Sequence, residues 1–200
     1  MHNKDLTACA TDRIEVMQPK GALLADIIRN RRSIFADYYI DKPVPKPLIE
    51  EVLTNAIWAP NYKMTQPWRF IVLQGEQLKQ FGSYLADYYK GQYERLINYP
   101  SRAGCIIVII MRRSTKVVIE EWEELAAVAC AVQNMALTCT AYDIGGYWDS
   151  CSACIAYADR FELAENERCL GFFYMGYYDL ETYTSNKRRT GIEKKVTWLT

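Results

Sequence analysis

Histidine is almost absent from this chain. Its 200 residues include one histidine, His2, in a polar stretch at the start of the sequence. Histidine is the usual base of a catalytic triad and the most frequent general acid or base near neutral pH. Enzymes that need a histidine for proton transfer are therefore nearly excluded. An enzyme with this sequence would take its reactivity from a cofactor.

The common motifs of nucleotide and acyl chemistry are also missing. The sequence contains no G-x-x-x-x-G-K-[ST] phosphate loop, no G-x-G-x-x-G after a strand and no G-x-S-x-G. It carries no net charge, because 24 Lys and Arg residues balance 24 Asp and Glu residues. Dedicated nucleic-acid binders usually have a strongly basic surface, so we expect no nucleic-acid partner.

Long hydrophobic runs are absent as well. The longest uninterrupted apolar run, residues 125–132, has eight residues, far fewer than the roughly 20 that span a membrane. Residues 1–20 are polar, lack the apolar core of a secretory signal and are expected to form a loose leader. Seven cysteines, an odd number, are scattered through the chain, which favours reduced thiols. We therefore expect a cytoplasmic protein without a membrane partner.

Half of the residues are hydrophobic and 24% are charged, as in a globular domain. We expect one domain from residue 21 to residue 200. Hydrophobic periodicity predicts five helices and three strands. The helices are predicted at 21–31, from the proline-rich connector at 41–47 to about 59, at 76–97, 120–142 and 156–165. The strands are predicted at 68–73, 105–111 and 170–178, with a short extended piece at 145–150.

Two prolines, Pro60 and Pro67, stiffen a polar loop between a predicted helix and the strand that begins at Trp68. Proline fixes its own φ and disfavours helix in the residue before it, so the helix should stop near Ala59. A stiff polar loop at such a junction is a suitable place to hold a ligand. An ordinary helix-to-strand connection has the same pattern, and the residues alone leave both interpretations open.

Arg31, Arg32 and Ser33 follow the first predicted helix. Arginine offers forked donors that match phosphate oxygens, so these residues could grip a phosphate. Taken alone, the motif is explained slightly better as a basic helix end that complements the helix macrodipole.

The last part of the chain, from Thr182, is polar and basic. It includes Arg188 and Arg189, which suit either a solvated tail or an anion site. Apolar residues at the end of this segment are not expected in a solvated tail. They indicate that the segment packs on another subunit. They are Val196, Trp198 and Leu199.

Cys151 and Cys154 form a single C-x-x-C motif. This spacing suits a thiol redox pair or half of a metal site. A zinc site is unfavoured because there is no second pair and the one histidine lies in the leader. We expect no metal site, and a thiol-redox protein stays open as the weakest of three functional hypotheses.

Six segments between residues 21 and 200 match one known family. They are Arg31-Arg32-Ser33-Ile34, VPKPLIEEVLTNAIWAP, APNYKMTQPWRFIVL, QNMALTCTAYDIGGYW, GFFYMGYYD and NKRRTGIEKKVTWL. Through these segments the chain resembles the nitroreductase family of FMN-dependent oxidoreductases, and in particular its small, minimal members.

The resemblance implies an α+β fold with a central, mainly antiparallel sheet flanked by helices. It implies an intertwined homodimer with two FMN sites at the interface, in which the C-terminal arm, residues 182–200, crosses to the partner. The implied reaction passes a hydride from NAD(P)H through the flavin N5 to an electron-poor small molecule such as a nitroaromatic or a quinone. The chemistry is carried by the flavin, so no catalytic residue is assigned.

The resemblance also assigns residues to the cofactor site. Those at 31–33 would hold the phosphate and ribityl chain, with help from a basic residue at 188–189. Those at 58 and 62 would reach the flavin of the other subunit, and those at 148–150 would lie beside the cofactor. The complete set is Arg31, Arg32, Ser33, Trp58, Tyr62, Trp148, Asp149, Ser150, Arg188 and Arg189.

Four positions depart from the pattern of the family. Close relatives usually have arginine or a similar residue at Trp58, histidine at Tyr62 and arginine at Asp149, and many wider relatives have a basic residue at Phe35. Each departure removes positive charge or hydrogen-bonding capacity from the expected site. Two hypotheses follow: an FMN oxidoreductase with a rearranged grip, or a binding protein on the same fold with an altered or lost flavin site.

Overall fold

The computed structural model describes residues 18–91, 94–181, 183–184 and 189–199. The predicted leader therefore lies outside the described residues up to position 17, as do Arg188 and part of the predicted arm. The helices are α1 (Pro19–Asn30), α2 (Lys46–Ala56), α3 (Glu76–Tyr88), α4 (Glu121–Ala141) and α5 (Ser152–Tyr157). The strands are β1 (Trp68–Leu73), β2 (Cys105–Arg112), β3 (Ile144–Asp149) and β4 (Glu167–Tyr177).

The four strands form one sheet in the order β1-β2-β4-β3, and every neighbouring pair is antiparallel. Residues 105–111 of β2 are each no more than 1% exposed. An uninterrupted apolar run is what a strand covered on both faces requires. The strand predicted at 105–111 is confirmed as β2, and so is the mainly antiparallel sheet that the family resemblance implies.

Helices cover both faces of the sheet. Ile107 of β2 belongs to a buried cluster that includes residues of α2 and α4. Its neighbour Ile106 points to the opposite face and belongs to a second cluster with residues of α3 and α5. Burying one isoleucine side chain stabilises the folded state by about 1.5–3 kcal/mol. The side chains of β2 therefore hold a helical layer on each face of the sheet. The α+β class with a sheet flanked by helices is confirmed.

Two predicted helices have different bounds in the structure. The helix predicted at 76–97 ends at Tyr88, because Lys90 and Gly91 have φ of 52° and 69°, which no α-helix continues. The helix predicted at 156–165 is wrong in its bounds: α5 begins at Ser152, and Glu162 has a left-handed φ of 47° after a short 3-10 turn.

Helix α4 packs one of its faces in the core. By length and composition its 21 residues could cross a membrane, and half of its most apolar 18-residue window is buried inside the fold. The other face is open in the single chain, where Trp122 is 66% exposed and Cys130 is also exposed.

Helix α1 has no buried residue. Its apolar side chains Leu23, Leu24 and Ile28 are 63%, 53% and 47% exposed. The end of the chain is similar, since Trp198 and Leu199 are 84% and 93% exposed. Isolated exposed apolar residues are ordinary, but three exposed apolar side chains on one short helix form a surface that could pack against another.

Candidate functional site

A cleft of about 520 Å³ lies at the C-terminal end of α1. Its volume is within the range of small-molecule sites. The residues that line it are Ile28, Arg29, Arg31, Arg32, Gln133 and Arg189. Four of these six residues are arginines and none is acidic, so the cleft presents concentrated positive charge.

The electrostatics of the cleft suit an anion. Burial lowers the pKa of Arg31, and the nearby charges of Arg189 and Arg32 lower it further. The guanidinium stays charged at neutral pH, so these cations repel one another. Within the described part of the chain, no ion pair involves Arg29, Arg31, Arg32 or Arg189. A bound phosphate would relieve the repulsion and accept forked hydrogen bonds.

The arginines are positioned by the segment that follows them. Ser33 forms a parallel bridge with Gly146 of β3, and the Ile34 amide donates to the Gly146 carbonyl at 3.3 Å. An added Cβ on Gly145 would lie 2.7 Å from a Tyr39 ring carbon and 2.9 Å from the Ile34 Cβ. Glycine is therefore required for this close approach, which explains the Gly-Gly pair in the sequence.

The end of β3 is held by β4. The Trp148 indole Nε1 donates to the Leu170 carbonyl at 3.0 Å. Gly171 has φ of 127°, and an added Cβ there would collide with the Asp149 carbonyl oxygen. The Asp149 carboxylate Oδ1 accepts a hydrogen bond from the Cys151 amide at 3.0 Å. The Asp149 carboxylate thus stabilises the local turn between β3 and α5.

The loop after α2 has an unusual backbone. Lys63, Met64 and Gln66 have φ of 50°, 54° and 46°. A left-handed conformation costs a residue with a side chain about 1–2 kcal/mol, and such strain is concentrated at functional sites. The Asn61 side chain steadies the loop by accepting from the Gln66 amide at 2.9 Å. Side chains around it are open: Trp58 is 80% exposed and Tyr62 55%.

The structure unites part of the predicted site. Arg31, Arg32 and Arg189 line one cleft, and Ser33 is joined to the strand that carries Trp148 and Asp149. Ser150 follows that strand and is exposed. Trp58 and Tyr62 are not among the residues that line the cleft.

Sequence reasoning missed Arg29 and Gln133, both of which line the cleft. Arg29 lies in the last turn of α1, two residues before Arg31. Gln133 could have been found as a polar residue directly after the apolar run of α4. Phe35, the fourth departure from the family pattern, packs its ring 4.9 Å from that of Tyr147.

A second cleft, of about 460 Å³, is built differently. Its lining includes Asp41, Lys42, Glu76, Lys79 and Arg102, which are charges of both signs. Lys79 and Glu76 already pair at 3.0 Å. Balanced, paired charges give no preference for an anion, so the arginine cleft is the stronger candidate.

The C-x-x-C motif lies just beyond β3. The Cys151 and Cys154 sulfurs are 3.2 Å apart, and both lie within 4.8 Å of an Asp149 carboxylate oxygen. Two thiolates on one tetrahedral zinc ion would be about 3.7 Å apart. The shorter separation and the commitment of Asp149 to the Cys151 amide favour a hydrogen-bonded thiol pair over a metal centre.

Comparisons with known proteins identify the family. The sequence profile of the Nitroreductase family matches residues 28–177, three quarters of the chain. This chain belongs to the nitroreductase family. The resemblance carried by its sequence motifs is thereby confirmed.

Two bacterial nitroreductase relatives cover most of the chain. YfhC of Bacillus subtilis is 30% identical over 189 residues, which are 88% of this chain and 94% of YfhC. YdjA of Escherichia coli is 28% identical over 169 residues, which are 80% of this chain and 91% of YdjA. Both proteins are named "Putative NAD(P)H nitroreductase".

Solved structures show the same nitroreductase fold. A nitroreductase-like family protein from Bacillus cereus superposes with a TM-score of 0.75 at 26% identity, covering 88% of this chain and 95% of that one. A nitroreductase with bound FMN from Bacteroides fragilis superposes with a TM-score of 0.67 at 20% identity, covering 88% and 98% of the two chains. At that identity the second likeness concerns the fold alone.

Proposed function

We propose that this nitroreductase-family protein binds FMN and uses NAD(P)H to reduce an electron-poor small molecule, such as a nitroaromatic or a quinone. One observation carries the proposal: Arg31, Arg32 and Arg189 converge on one cleft, and none of the described residues that line it is acidic. FMN carries a phosphate close to a dianion, which needs several cations. The names of YfhC and YdjA support this choice of reductant, and the fold shared with the FMN-bound protein from Bacteroides fragilis is compatible with FMN.

In this proposal, the protein's own residues bind the cofactor and fix its orientation. The arginines of the cleft would hold the phosphate, and Ser33 would hold the ribityl chain. The Trp148 indole is fixed by its hydrogen bond to Leu170 and offers a flat apolar surface near the end of β3. FMN, when bound, would supply the redox chemistry, the transfer of a hydride from NAD(P)H to the acceptor.

Asp149 is one of the departures from the family pattern that motivate the hypothesis of a lost flavin site. Its carboxylate accepts from the Cys151 amide and is not among the groups that line the arginine cleft. The substitution therefore leaves the concentrated positive charge of the cleft in place, which supports the FMN oxidoreductase over the binding protein.

The deciding experiment is the visible absorbance of the purified protein, followed by denaturation and identification of any released chromophore. We expect flavin bands and free FMN, or uptake of added FMN by a colourless preparation. NADH and NADPH oxidation is then measured with a simple quinone and a nitroaromatic. A protein that neither carries nor takes up FMN would establish the alternative, a binding protein on a nitroreductase fold.

We also propose a homodimer in which the C-terminal arm, residues 182–200, packs on the partner and Trp58 and Tyr62 reach the partner's flavin. The open apolar faces of α1 and α4 and the exposed Trp198 support it. Within one chain, the arm begins with the Tyr183 ring packed 5.1 Å from that of Tyr38, so any crossing starts after that point. Light scattering during gel filtration measures the mass directly, and truncation after residue 191 should weaken the dimer.

We infer that the protein works in the cytoplasm on small molecules, without a nucleic-acid or membrane partner. The six cysteines in the described part of the chain are all free thiols, which suits a reducing compartment. Fractionation of cells that express the tagged full-length chain tests the location.

A further inference from the structure

The Cys151–Cys154 pair is unused by the proposed flavin chemistry. Cys151 is partly exposed and Cys154 is fully buried. A spacing of three residues at the start of α5 puts both side chains on one face of the helix. Their sulfurs are 3.2 Å apart. This distance allows a hydrogen bond between them and is about 1 Å longer than a disulfide bond.

The two thiols are chemically unequal. The two sulfurs share one hydrogen bond, and burial disfavours a charge on Cys154. When the pair loses a proton, the charge therefore resides on Cys151 and the Cys154 thiol is the donor to it. This hydrogen bond lowers the pKa of Cys151 to about 7. The same hydrogen bond, together with burial, raises the pKa of Cys154. One sulfur is therefore an accessible thiolate at neutral pH, and the other is a protonated thiol behind it.

The surroundings of the pair hold both sulfurs in place. The Cys151 amide donates to Asp149, and Tyr89 makes a side-chain hydrogen bond with Cys151. The other titratable groups that act on the pair are Tyr84, Cys169 and Tyr174. None of these groups is a cation, so the reactivity of Cys151 depends on Cys154 itself.

From this geometry we propose that Cys151 and Cys154 form a reversible dithiol–disulfide centre that exchanges with small-molecule disulfides such as oxidised glutathione. The exposed Cys151 is the attacking sulfur and the buried Cys154 is the resolving sulfur. The centre is separate from the arginine cleft and does not depend on bound FMN.

The exchange balances in two steps. The Cys151 thiolate attacks one sulfur of the small disulfide, whose S–S bond breaks; the other half leaves as a thiolate and takes up a proton. Cys154 then gives up its proton as its sulfur attacks Cys151, and the second half of the small molecule leaves as a thiol. The two cysteines are oxidised to one disulfide, and the small disulfide is reduced to two thiols.

The test uses the full-length protein as purified, incubated in mixtures of reduced and oxidised glutathione. The samples are quenched with acid, alkylated with N-ethylmaleimide and mapped by mass spectrometry. We expect Cys151 and Cys154 to lose alkylation together, in a single two-electron transition, and their shared peptide to lose two hydrogens. Cys130, an exposed cysteine on α4, serves as the control and should stay alkylated.

Two variants separate the steps. Cys154→Ala should accumulate a glutathione adduct on Cys151, because the resolving thiol is gone. Cys151→Ala changes the partly exposed position, is the safer variant for folding, and should leave Cys154 without an adduct. Cys130→Ala should behave as the unmodified protein in every assay.

Either of two results would overturn the proposal. In the first, Cys151 and Cys154 remain alkylated at the oxidising end of the series. In the second, the protein carries one equivalent of zinc and the pair reacts only after a chelator removes it. Recording the flavin absorbance of the same samples keeps this outcome distinct from a failure of the proposed FMN function.

Discussion

The Arg69 guanidinium on β1 grips the Glu167 carboxylate on β4 through two hydrogen bonds, each 2.8 Å long. These strands lie on either side of β2, so the pair spans the central strand. The Glu167 side chain is 5% exposed and that of Arg69 is 30% exposed. A bidentate, charge-assisted pair of this kind is among the strongest interactions that a carboxylate makes in a protein.

Arg69→Met should destabilise the fold by about 2–3 kcal/mol, because it leaves a buried carboxylate without its cation. Chemical denaturation followed by circular dichroism measures the change. Arg102→Met is the matched control, since Arg102 is about half exposed and its ion pair with Asp37 is 3.6 Å long. Equal losses for the two variants would show that the pair across β2 has no special weight.

The same pair predicts a pH dependence. The hydrogen bond from Arg69 lowers the pKa of Glu167 below its ordinary value of 4.5. A lowered folded-state pKa means that the stabilisation is present above 4.5 and is lost as pH falls through the folded value. We expect the difference in unfolding free energy between the unmodified protein and Arg69→Met to shrink from pH 6 to pH 3. A difference that stays constant over this range would contradict the assignment.

The arginine cleft predicts discrimination between two flavins. Riboflavin lacks the phosphate of FMN, so the unmodified protein should bind FMN far more tightly. Arg31→Gln should weaken FMN binding about ten- to hundredfold, the equivalent of one or two charge-assisted hydrogen bonds, and should leave riboflavin binding nearly unchanged. Fluorescence titration of both flavins measures this, with Arg102→Gln as the control. Equal weakening for both flavins would place Arg31 away from the phosphate.

Cys151 predicts a pH profile for thiol reactivity. The thiolate is the reactive form, so the alkylation rate of Cys151 should rise with pH and reach half its maximum near pH 7. Cys154→Ala removes the hydrogen-bond donor and should move the midpoint up by more than one pH unit. Peptide mapping after short pulses of iodoacetamide gives the rate for each cysteine. An unchanged midpoint in the variant would rule out Cys154 as the cause.

The strained loop predicts that two substitutions at Gln66, whose φ is 46°, differ in stability in an unusual order. Gln66→Gly should change stability little, since relief of the left-handed strain offsets the extra entropy of the unfolded chain. Gln66→Val should cost about 1–2 kcal/mol, because a β-branched residue resists this conformation. The melting temperatures of the two variants test this prediction, which a valine variant more stable than the glycine variant would contradict.

Local signals were sufficient for much of the fold. The apolar run that predicts a strand at 68–73 coincides with β1, and that at 105–111 with all of β2 except Arg112. The bounds of α3 were missed although Gly91 was visible, because a glycine three residues beyond a helix end has the same appearance in the sequence as one inside a longer helix. The start of α5 depends on the turn that Asp149 makes with Cys151, which periodicity does not report.

Contacts between distant residues were beyond such reasoning. Arg69 and Glu167 are 98 residues apart, and neither has a local pattern that announces a partner. Arg31 and Arg189 were placed in one site only by resemblance to the family, since nothing in either segment alone points to the other. The left-handed residues of the loop at 61–66 carry no glycine to mark them.

Arg29 lies in the last turn of α1, and Arg31 and Arg32 follow the helix just before Ser33 meets β3, while the face of α1 that carries Leu24 and Ile28 is exposed. If a second subunit covers that face, it also fixes the orientation of the guanidiniums. Assembly and flavin affinity would then be thermodynamically linked, and each would strengthen the other by mass action. Dilution below the dimer dissociation constant would release the cofactor, and added flavin would restore the dimer.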